Sequence, residues 1–166
     1  MSWIRNQLKK DEGFTLIELM VVVLIIAILI AIAIPTFLGA RERAQDRAAQ
    51  SDLRNALTAA KVHYTDTEDF SDGAGADVTV AQLEAIEPSL QFVAIAASDA
   101  DNVGYAVDSV AGTDRQQITF AKQSASGTWF CINETATGAG SGTFFASSET
   151  ALVDVDTAGE CNGASW

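Results

Sequence analysis

Three residues near the N-terminus have types and a spacing that could support cleavage and assembly chemistry: Gly13, Phe14 and Glu18. A secretory signal peptide places its small-residue cleavage site after the apolar region, whereas Gly13 precedes one. Cleavage after Gly13 would keep the apolar segment and expose a new α-amino group on Phe14. Glu18 lies within that segment, where a carboxylate at the helix centre costs about 2.5–3.5 kcal/mol and less near an end. Glu18 is therefore either an interfacial residue favoured by the helix dipole or a carboxylate that needs a cationic partner.

The element that positions these residues is an apolar run from Leu19 to Ile34, in which no side chain is polar. Extended from Phe14 to Leu38, the segment would form a helix of roughly 37 Å. That length is enough to cross a hydrocarbon core of about 30 Å. Its many β-branched residues lower helix propensity in water, but a single segment in lipid can satisfy its backbone only as a helix. We predict a membrane-spanning helix.

The run Gly13-Phe14-Thr15-Leu16-Ile17-Glu18, preceded by a short charged leader, resembles the class III signal of type IV pilins and the related pseudopilins. The resemblance implies that a prepilin peptidase cuts after Gly13 and N-methylates Phe14. It also implies that Glu18 pairs with the Phe14 amine of a neighbouring subunit. Asp11 and Glu12 depart from the many leaders that carry a basic residue there; we still expect processing.

The expected fold class is α+β: the pilin fold, in which a long N-terminal α-helix packs against a C-terminal antiparallel β-sheet. Five parts are predicted along the chain. They are a leader (1–13), a transmembrane or filament-core helix half (14–40), an amphipathic helix half (41–64), a loop with a short helix (65–89), and the sheet with a disulfide-closed C-terminal region (90–166).

Two residues are predicted to weaken the long helix after its apolar run. Pro35 removes one backbone donor and crowds the carbonyl of Ala31, so the helix should kink or loosen there. Gly39 adds a second weak point, and the resemblance implies local unwinding in this region. The alternative is that Pro35 only ends the membrane span.

The helix is predicted to become amphipathic from Arg41 to about His63, because small and aliphatic residues recur there at helical spacing among charged ones. Arg43 and Arg47 are like charges four residues apart and do not stabilise an isolated helix. They either form a solvated face or meet acids on neighbouring subunits.

Residues 65–78 are rich in turn-forming and acidic residues, which predicts a loop. Its carboxylates from Asp66 to Asp77 could gather a calcium ion, but their spacing does not fit an EF-hand, and a solvated acidic loop is the preferred interpretation. Thr79 and Gln82 predict a capping box that opens a short helix from Val80 to Glu87, before Pro88. Strands are predicted at 90–97, 103–107, 116–121, 128–132 and 142–146. Apolar residues on both faces of 128–132 predict a central strand.

Cys131 and Cys161 are the two cysteines of the chain. In an exported protein such a pair predicts one disulfide. A bridge that closes a loop of about 30 residues stabilises by roughly 3.5 kcal/mol in the chain-entropy model. The resemblance agrees, because type IV pilins carry a disulfide-closed C-terminal loop.

The charge balance and the motifs argue against several function classes. The net charge is −12, and removal of the leader, with three basic and two acidic residues, gives −13, which disfavours nucleic-acid binding through the bulk surface. His63 is the sole histidine and is expected on the surface or at the edge of the core. No catalytic arrangement, cofactor motif or metal-spaced Cys/His set is recognisable, so we expect no enzyme, no cofactor and no metal.

The predicted function is that of a structural pilin subunit. Its expected partners are other copies of itself, the prepilin peptidase and the pilus assembly machinery. We expect it in the inner or cytoplasmic membrane as a precursor and on the cell surface as a filament. The alternatives are a pseudopilin of a type II secretion system, a minor pilin, or a membrane-tethered ligand-binding module.

Overall fold

The computed structural model describes residues 13–110, 113–137, 140–149 and 160–166, with the backbone alone at 108–110, 113 and 114. Leader residues 1–12 and parts of two predicted turns, 111–112 and 138–139, lie outside this range. The chain divides into two compact units, Met1–Arg41 and Glu42–Trp166. The elements in chain order are α1 (Leu16–Thr67), α2 (Val80–Ile86), β1 (Phe92–Ala94), a 3₁₀ turn (Ile95–Ala97), β2 (Val103–Val110), β3 (Thr113–Gln123), β4 (Trp129–Thr135) and β5 (Gly142–Ser148).

The described part of the first unit exposes its apolar side chains. Phe14 is 87% exposed, Ile26 49% and Phe37 72%. By length and composition, α1 contains one segment able to cross a membrane, and none of that segment is buried inside the chain. Each Å² of apolar surface left in water costs about 25 cal/mol, so this surface requires lipid or other protein to cover it.

The second unit builds its core between residues 42–67 of α1 and one face of the sheet. Small and aliphatic side chains on α1 make the contact, which lets the helix lie close to the strands. Those that are buried are Ala49, Leu53, Ala56, Leu57, Ala59 and Ala60. The sheet contributes Ile118, Phe120, Phe130 and Ile132. Leu53, Leu57 and Ala60 of the predicted amphipathic pattern enter the core, whereas its first two positions, Ala44 and Ala48, are exposed.

The five strands form one sheet in the order β1-β2-β3-β4-β5. Three of the four strand pairs are antiparallel, as predicted. The first pair differs: β1 runs parallel to β2, with Phe92 opposite Val103 and Ala94 opposite Tyr105. The sheet is therefore mostly, rather than wholly, antiparallel.

The parallel pair follows from a 3₁₀ turn where the sequence predicted that a strand would continue to residue 97. The backbone amide of Ser98 donates to the Ile95 carbonyl at 3.1 Å, and the Ser98 hydroxyl donates to the same oxygen at 2.8 Å. This turn ends the strand and folds over Gly104. A Cβ at Gly104 would lie 2.4 Å from the Cβ of Ser98, so only glycine fits there. Local apolar content could not reveal this contact.

The short helix and β4 agree with their predictions. The Thr79 hydroxyl accepts from the Gln82 amide, and the Gln82 side chain accepts from the Thr79 amide, which completes the capping box. β4 is an interior strand whose two faces are both covered. Phe130 and Ile132 pack in the α1-facing core, and Cys131 packs on the other face with Cys161 and Ala121.

Polar contacts also tie residues 42–67 of α1 to the sheet and its turns, and three of them involve a charged side chain of α1 at successive positions along the helix. Lys122 on β3 is buried, and its Nζ lies 3.3 Å from Asp52 Oδ2. Lys61 Nζ lies 3.0 Å from Glu134 Oε1 on β4. The Ser126 hydroxyl, between β3 and β4, donates to Asp46 Oδ1 at 2.5 Å. These bonds lie on both sides of the apolar contact and fix the rotation of the helix about its own axis.

The described C-terminal residues 160–166 are held against the sheet by three different interactions. The predicted Cys131–Cys161 disulfide is present, with 6.0 Å between the Cα atoms. Gly163 exchanges two backbone hydrogen bonds with Phe145, of 2.8 and 2.7 Å. The Trp166 indole N–H donates to the Cys131 carbonyl at 2.7 Å, and its ring packs edge-on against Phe145 at 4.8 Å.

Removal of the disulfide by a Cys131→Ala, Cys161→Ala double substitution should lower the free energy of unfolding by about 3.5 kcal/mol. The bridged residues are 30 apart in sequence, and the constraint on the unfolded chain scales with that loop. Urea denaturation in mild detergent, followed by the fluorescence of the tryptophans, measures the change. A loss below about 1 kcal/mol would show that the bridge does not constrain the unfolded chain.

Asp52→Ala should destabilise the second unit more than Asp77→Ala. Loss of Asp52 leaves the Lys122 side chain, 8% exposed, without its carboxylate, and we expect a cost of about 2 kcal/mol after allowance for the 35% exposure of Asp52. Asp77 is 60% exposed and pairs with the more accessible Arg115, so its loss should cost less than about 1 kcal/mol. Thermal unfolding of the two variants, compared side by side, tests this order.

Candidate processing and assembly site

The bond between Gly13 and Phe14 lies in an exposed, non-helical stretch. Residues 13–15 precede α1, which begins at Leu16, and both Gly13 and Phe14 are exposed. Apart from its neighbours in the chain, no described residue has a heavy atom within 4 Å of the position that a Cβ on Gly13 would take. A peptidase must bind its substrate backbone in an extended form. The bond between Gly13 and Phe14 would meet that requirement without unwinding of α1, which begins only at Leu16.

The Glu18 carboxylate is held by Thr15 at the start of α1. Glu18 Oε2 accepts from the Thr15 backbone amide at 2.8 Å and from the Thr15 hydroxyl at 2.6 Å. The Thr15 hydroxyl accepts in turn from the Glu18 amide at 3.3 Å. This reciprocal arrangement is a capping box, which satisfies helix donors that would otherwise lack partners.

The role of Thr15 was missed in the sequence, although the pattern Thr-x-x-Glu before an apolar run signals a capping box. The structure therefore gives Glu18 a local partner in addition to the helix dipole. Only one carboxylate oxygen is used in this way. Glu18 Oε1 has no hydrogen-bond partner among residues 13–110, 113–137, 140–149 and 160–166, and the side chain is exposed.

Helix α1 continues through both residues that were predicted to weaken it, Pro35 and Gly39. The ring of Pro35 has no N–H to donate to the carbonyl one turn earlier. Next to it, the Thr36 hydroxyl donates to the Ile32 carbonyl at 3.0 Å, a bond of the kind that often accompanies helix bending. The kink predicted at Pro35 and Gly39 stays a prediction.

A side chain of the acidic loop accepts hydrogen bonds from backbone amides of the same loop. Asp72 Oδ1 accepts from the amides of Ala74 at 2.7 Å and Ala76 at 3.0 Å, and these bonds lower the pKa of the Asp72 carboxyl. Asp77 pairs with Arg115. Across the part of the chain that the structure describes, no group of three or more His, Cys, Asp or Glu side chains could hold a metal ion.

The single histidine is a structural residue of the core. His63 is buried, and its Nε2 lies 2.5 Å from the carbonyl oxygen of Ser71 in the acidic loop. This contact fixes the end of α1 to that loop. The sequence predicted a position at the surface or at the edge of the core, and His63 lies at the edge of the core.

Comparisons with known proteins identify a matching family model and similar proteins. A family model described as the prokaryotic N-terminal methylation motif matches residues 8–34. The chain is 35% identical over 63 residues to the type IV major pilin protein PilA of Myxococcus xanthus. It is 33% identical over 91 residues to the type IV wide pilus major component PilA4 of Thermus thermophilus.

The two relatives are matched over different shares of their length. The alignment with PilA covers 38% of this chain and 29% of the relative, whereas that with PilA4 covers 55% and 69%. No solved structure matches the chain significantly. The family model covers residues 8–34, and the alignment with PilA4 extends over more than half of the chain.

Thr15→Val should loosen the first turn of α1. The substitution removes the hydroxyl that donates to Glu18 Oε2 and accepts from the Glu18 amide, at a cost of about 1 kcal/mol. The amides of the first helical turn should then exchange roughly fivefold faster in the chain reconstituted in lipid nanodiscs, as measured by hydrogen exchange.

Thr36→Val is the matched control, because the Thr36 hydroxyl bonds a carbonyl in the helix interior and caps nothing. It should leave exchange in the first turn unchanged. Equal exchange in the Thr15 variant and the original chain would show that the capping box does not hold the helix start in lipid.

Proposed function

Because the chain belongs to the type IV pilin family, we propose that it is a structural subunit of a type IV pilus filament. Both relatives are named as major components of type IV pili. The apolar surface of the first unit supports the same function, since it is exposed along its described length and needs a partner of the same kind. Parallel packing of many copies covers that surface once the subunit leaves the lipid.

Maturation by a prepilin peptidase, with cleavage after Gly13 and N-methylation of Phe14, is part of this proposal. The methylation motif that matches residues 8–34 supports it, as does the open backbone around Gly13. Cleavage is required for the assembly chemistry, because it replaces a neutral peptide nitrogen by the α-amino group of Phe14.

The observation that carries the assembly proposal is the free oxygen of Glu18. Thr15 occupies Oε2 alone, so Oε1 can accept from the N-methylated amine of Phe14 on a neighbouring subunit. Unlike charges attract more strongly in apolar surroundings than in water, because the local dielectric constant is lower. Exchange of lipid for neighbouring helices yields little hydrophobic gain, so this charge pair supplies direction and register.

The weakened stretch around Pro35 and Gly39 has a role in the same step. A helix that lacks one backbone bond there can bend or partly unwind at low cost when it is packed among its neighbours. Flexibility at this point lets the apolar half reach its packed position while the second unit stays folded.

The subunit has one location before assembly and another after it. The processed subunit waits in the inner or cytoplasmic membrane through α1 and then moves to the cell surface as part of the filament, with the assembly machinery as a transient partner. A pseudopilin or minor pilin would share the processing and the helix. The relatives named as major pilus components favour a major pilin over these alternatives.

Glu18→Val should permit cleavage and reduce surface filaments at least tenfold. The substitution removes the charge that pairs with the Phe14 amine but leaves the scissile bond untouched. Electron microscopy counts the filaments, and mass spectrometry of the membrane fraction records cleavage.

Glu42→Val is the control, because it removes an exposed carboxylate of the same helix beyond the apolar segment. It should leave the filament count unchanged. Normal filament numbers from the Glu18 variant would contradict the assembly mechanism, and an uncleaved Glu18 variant would assign the defect to processing.

A further inference from the structure

The cations of α1 within the second unit lie in one narrow stripe. Arg43, Arg47, Arg54 and Lys61 are spaced by four, seven and seven residues. At 100° per residue these spacings place all four within a sector of about 40°, on a length of roughly 27 Å. All four are exposed. We call these four residues the basic stripe.

Two of the four residues of the basic stripe have a partner within their own chain. Lys61 pairs with Glu134, and the Arg54 guanidinium lies 4.8 Å above the ring of Trp166. Arg43 and Arg47 form no ion pair among the residues that the structure describes. Two arginines on one helix face are therefore available to a partner outside the chain.

The contacts of the stripe show which side of the sheet it follows. Lys61 Nζ also lies 3.5 Å from the hydroxyl of Thr143 on β5. Arg54 lines a small surface cavity with Phe145 of β5 and with Trp166. The stripe therefore runs along the β5 edge of the sheet.

Four carboxylates lie on other parts of the second unit: two at α2, next to β1, and two in the turn before β2, which bonds to the end of β3. Glu84 Oε1 accepts from the Phe92 amide of β1 at 3.2 Å, and Glu87 is at the end of α2. Asp99 and Asp101 lie exposed in the turn between the 3₁₀ helix and β2. No cation of the described residues comes within ion-pair distance of these four side chains. We call them the acidic side.

The geometry points to a contact between the basic stripe of one copy and the acidic side of a second copy. This inference rests on the proposed filament. The glutamates of the acidic side lie next to β1, and the edge strands β1 and β5 are about 19 Å apart across the five-stranded sheet, so the stripe and these glutamates are on opposite sides of the unit. A contact between opposite sides is heterologous, and repeated contacts of this type form open helical polymers.

Charge explains why this contact is needed. The mature chain carries a net charge of −13 after loss of the leader, so subunits in a filament repel one another unless unlike patches meet. Complementary potentials fix the register of an interface and disfavour wrong arrangements. A headgroup layer about 5–8 Å thick could reach both Arg43 and Arg47, which are roughly 6 Å apart along the helix, so an anionic lipid is the alternative that the test below must separate.

Charge reversal on the stripe tests the contact, with a control two residues away. Arg43→Glu places a like charge against the acidic side, and the new glutamate meets Arg47 one turn later, which keeps the helix stable. Arg41→Glu makes the same change about 160° around α1. We expect surface filaments to fall about tenfold in the first variant and less than twofold in the second.

Cells that make these two variants or the unaltered chain also separate the possible explanations for a loss of filaments. Absence of filaments from the unaltered chain would refute the proposed function itself. Normal filaments in the Arg43 variant, or equal losses in both variants, would overturn the basic-stripe contact alone. Loss of the processed Arg43 variant from the membrane fraction would overturn it in favour of a lipid headgroup as the partner.

Zero-length cross-linking identifies the acidic partner directly. Arg47→Lys keeps the charge and introduces an amine that carbodiimide can join to a carboxylate in contact with it. In sheared filaments we expect links between subunits from position 47 to Glu84, Glu87, Asp99 or Asp101. The Lys61–Glu134 link within each subunit serves as the internal control. Recovery of the control link without any link from position 47 to the acidic side would refute the contact.

Discussion

An apolar helical surface that the chain itself cannot cover determines most of the remaining structure. Between Phe14 and Leu38 each large apolar side chain is about half exposed or more. This surface needs lipid or other protein to cover it, and in the proposed function it passes from lipid to other copies of the same helix. Both surroundings are equally apolar, and the hydrophobic effect therefore provides no strong direction for the transfer. A polar interaction has to provide it, and Glu18 is the one carboxylate within the segment.

The second unit is built to remain folded while the helix changes its surroundings. Its part of α1 is fixed to the sheet by the buried Lys122 and by the Lys61–Glu134 pair as well as by apolar contacts. The C-terminal residues are secured by the Cys131–Cys161 bridge and by Trp166. These interactions lie within residues 42–166, so the second unit does not depend on what covers the apolar segment.

The features that the sequence could predict are those set by local pattern. Residue type and short spacing predicted four features: the apolar segment, the Thr79–Gln82 capping box, the disulfide and the buried face of α1. The parallel pairing of β1 could not be predicted from the sequence, since it depends on Ser98 packing over Gly104 in the next strand. The basic stripe could be read from its helical spacing, but its position along β5 required the contacts of Arg54 and Lys61. Long-range pairings of this kind have no signal in local composition.

Mass spectrometry of filaments sheared from the cell surface, on intact subunits and after digestion, tests the proposed life cycle most directly. A dominant subunit that begins with N-methylated Phe14 and contains the Cys131–Cys161 bridge is the result that a major pilin requires. A processed chain found in the membrane and absent from the filaments would instead indicate a pseudopilin or a minor pilin. A chain that remains in the membrane with residues 1–13 attached would contradict cleavage after Gly13, and with it the pairing of Glu18 with a free amine on Phe14.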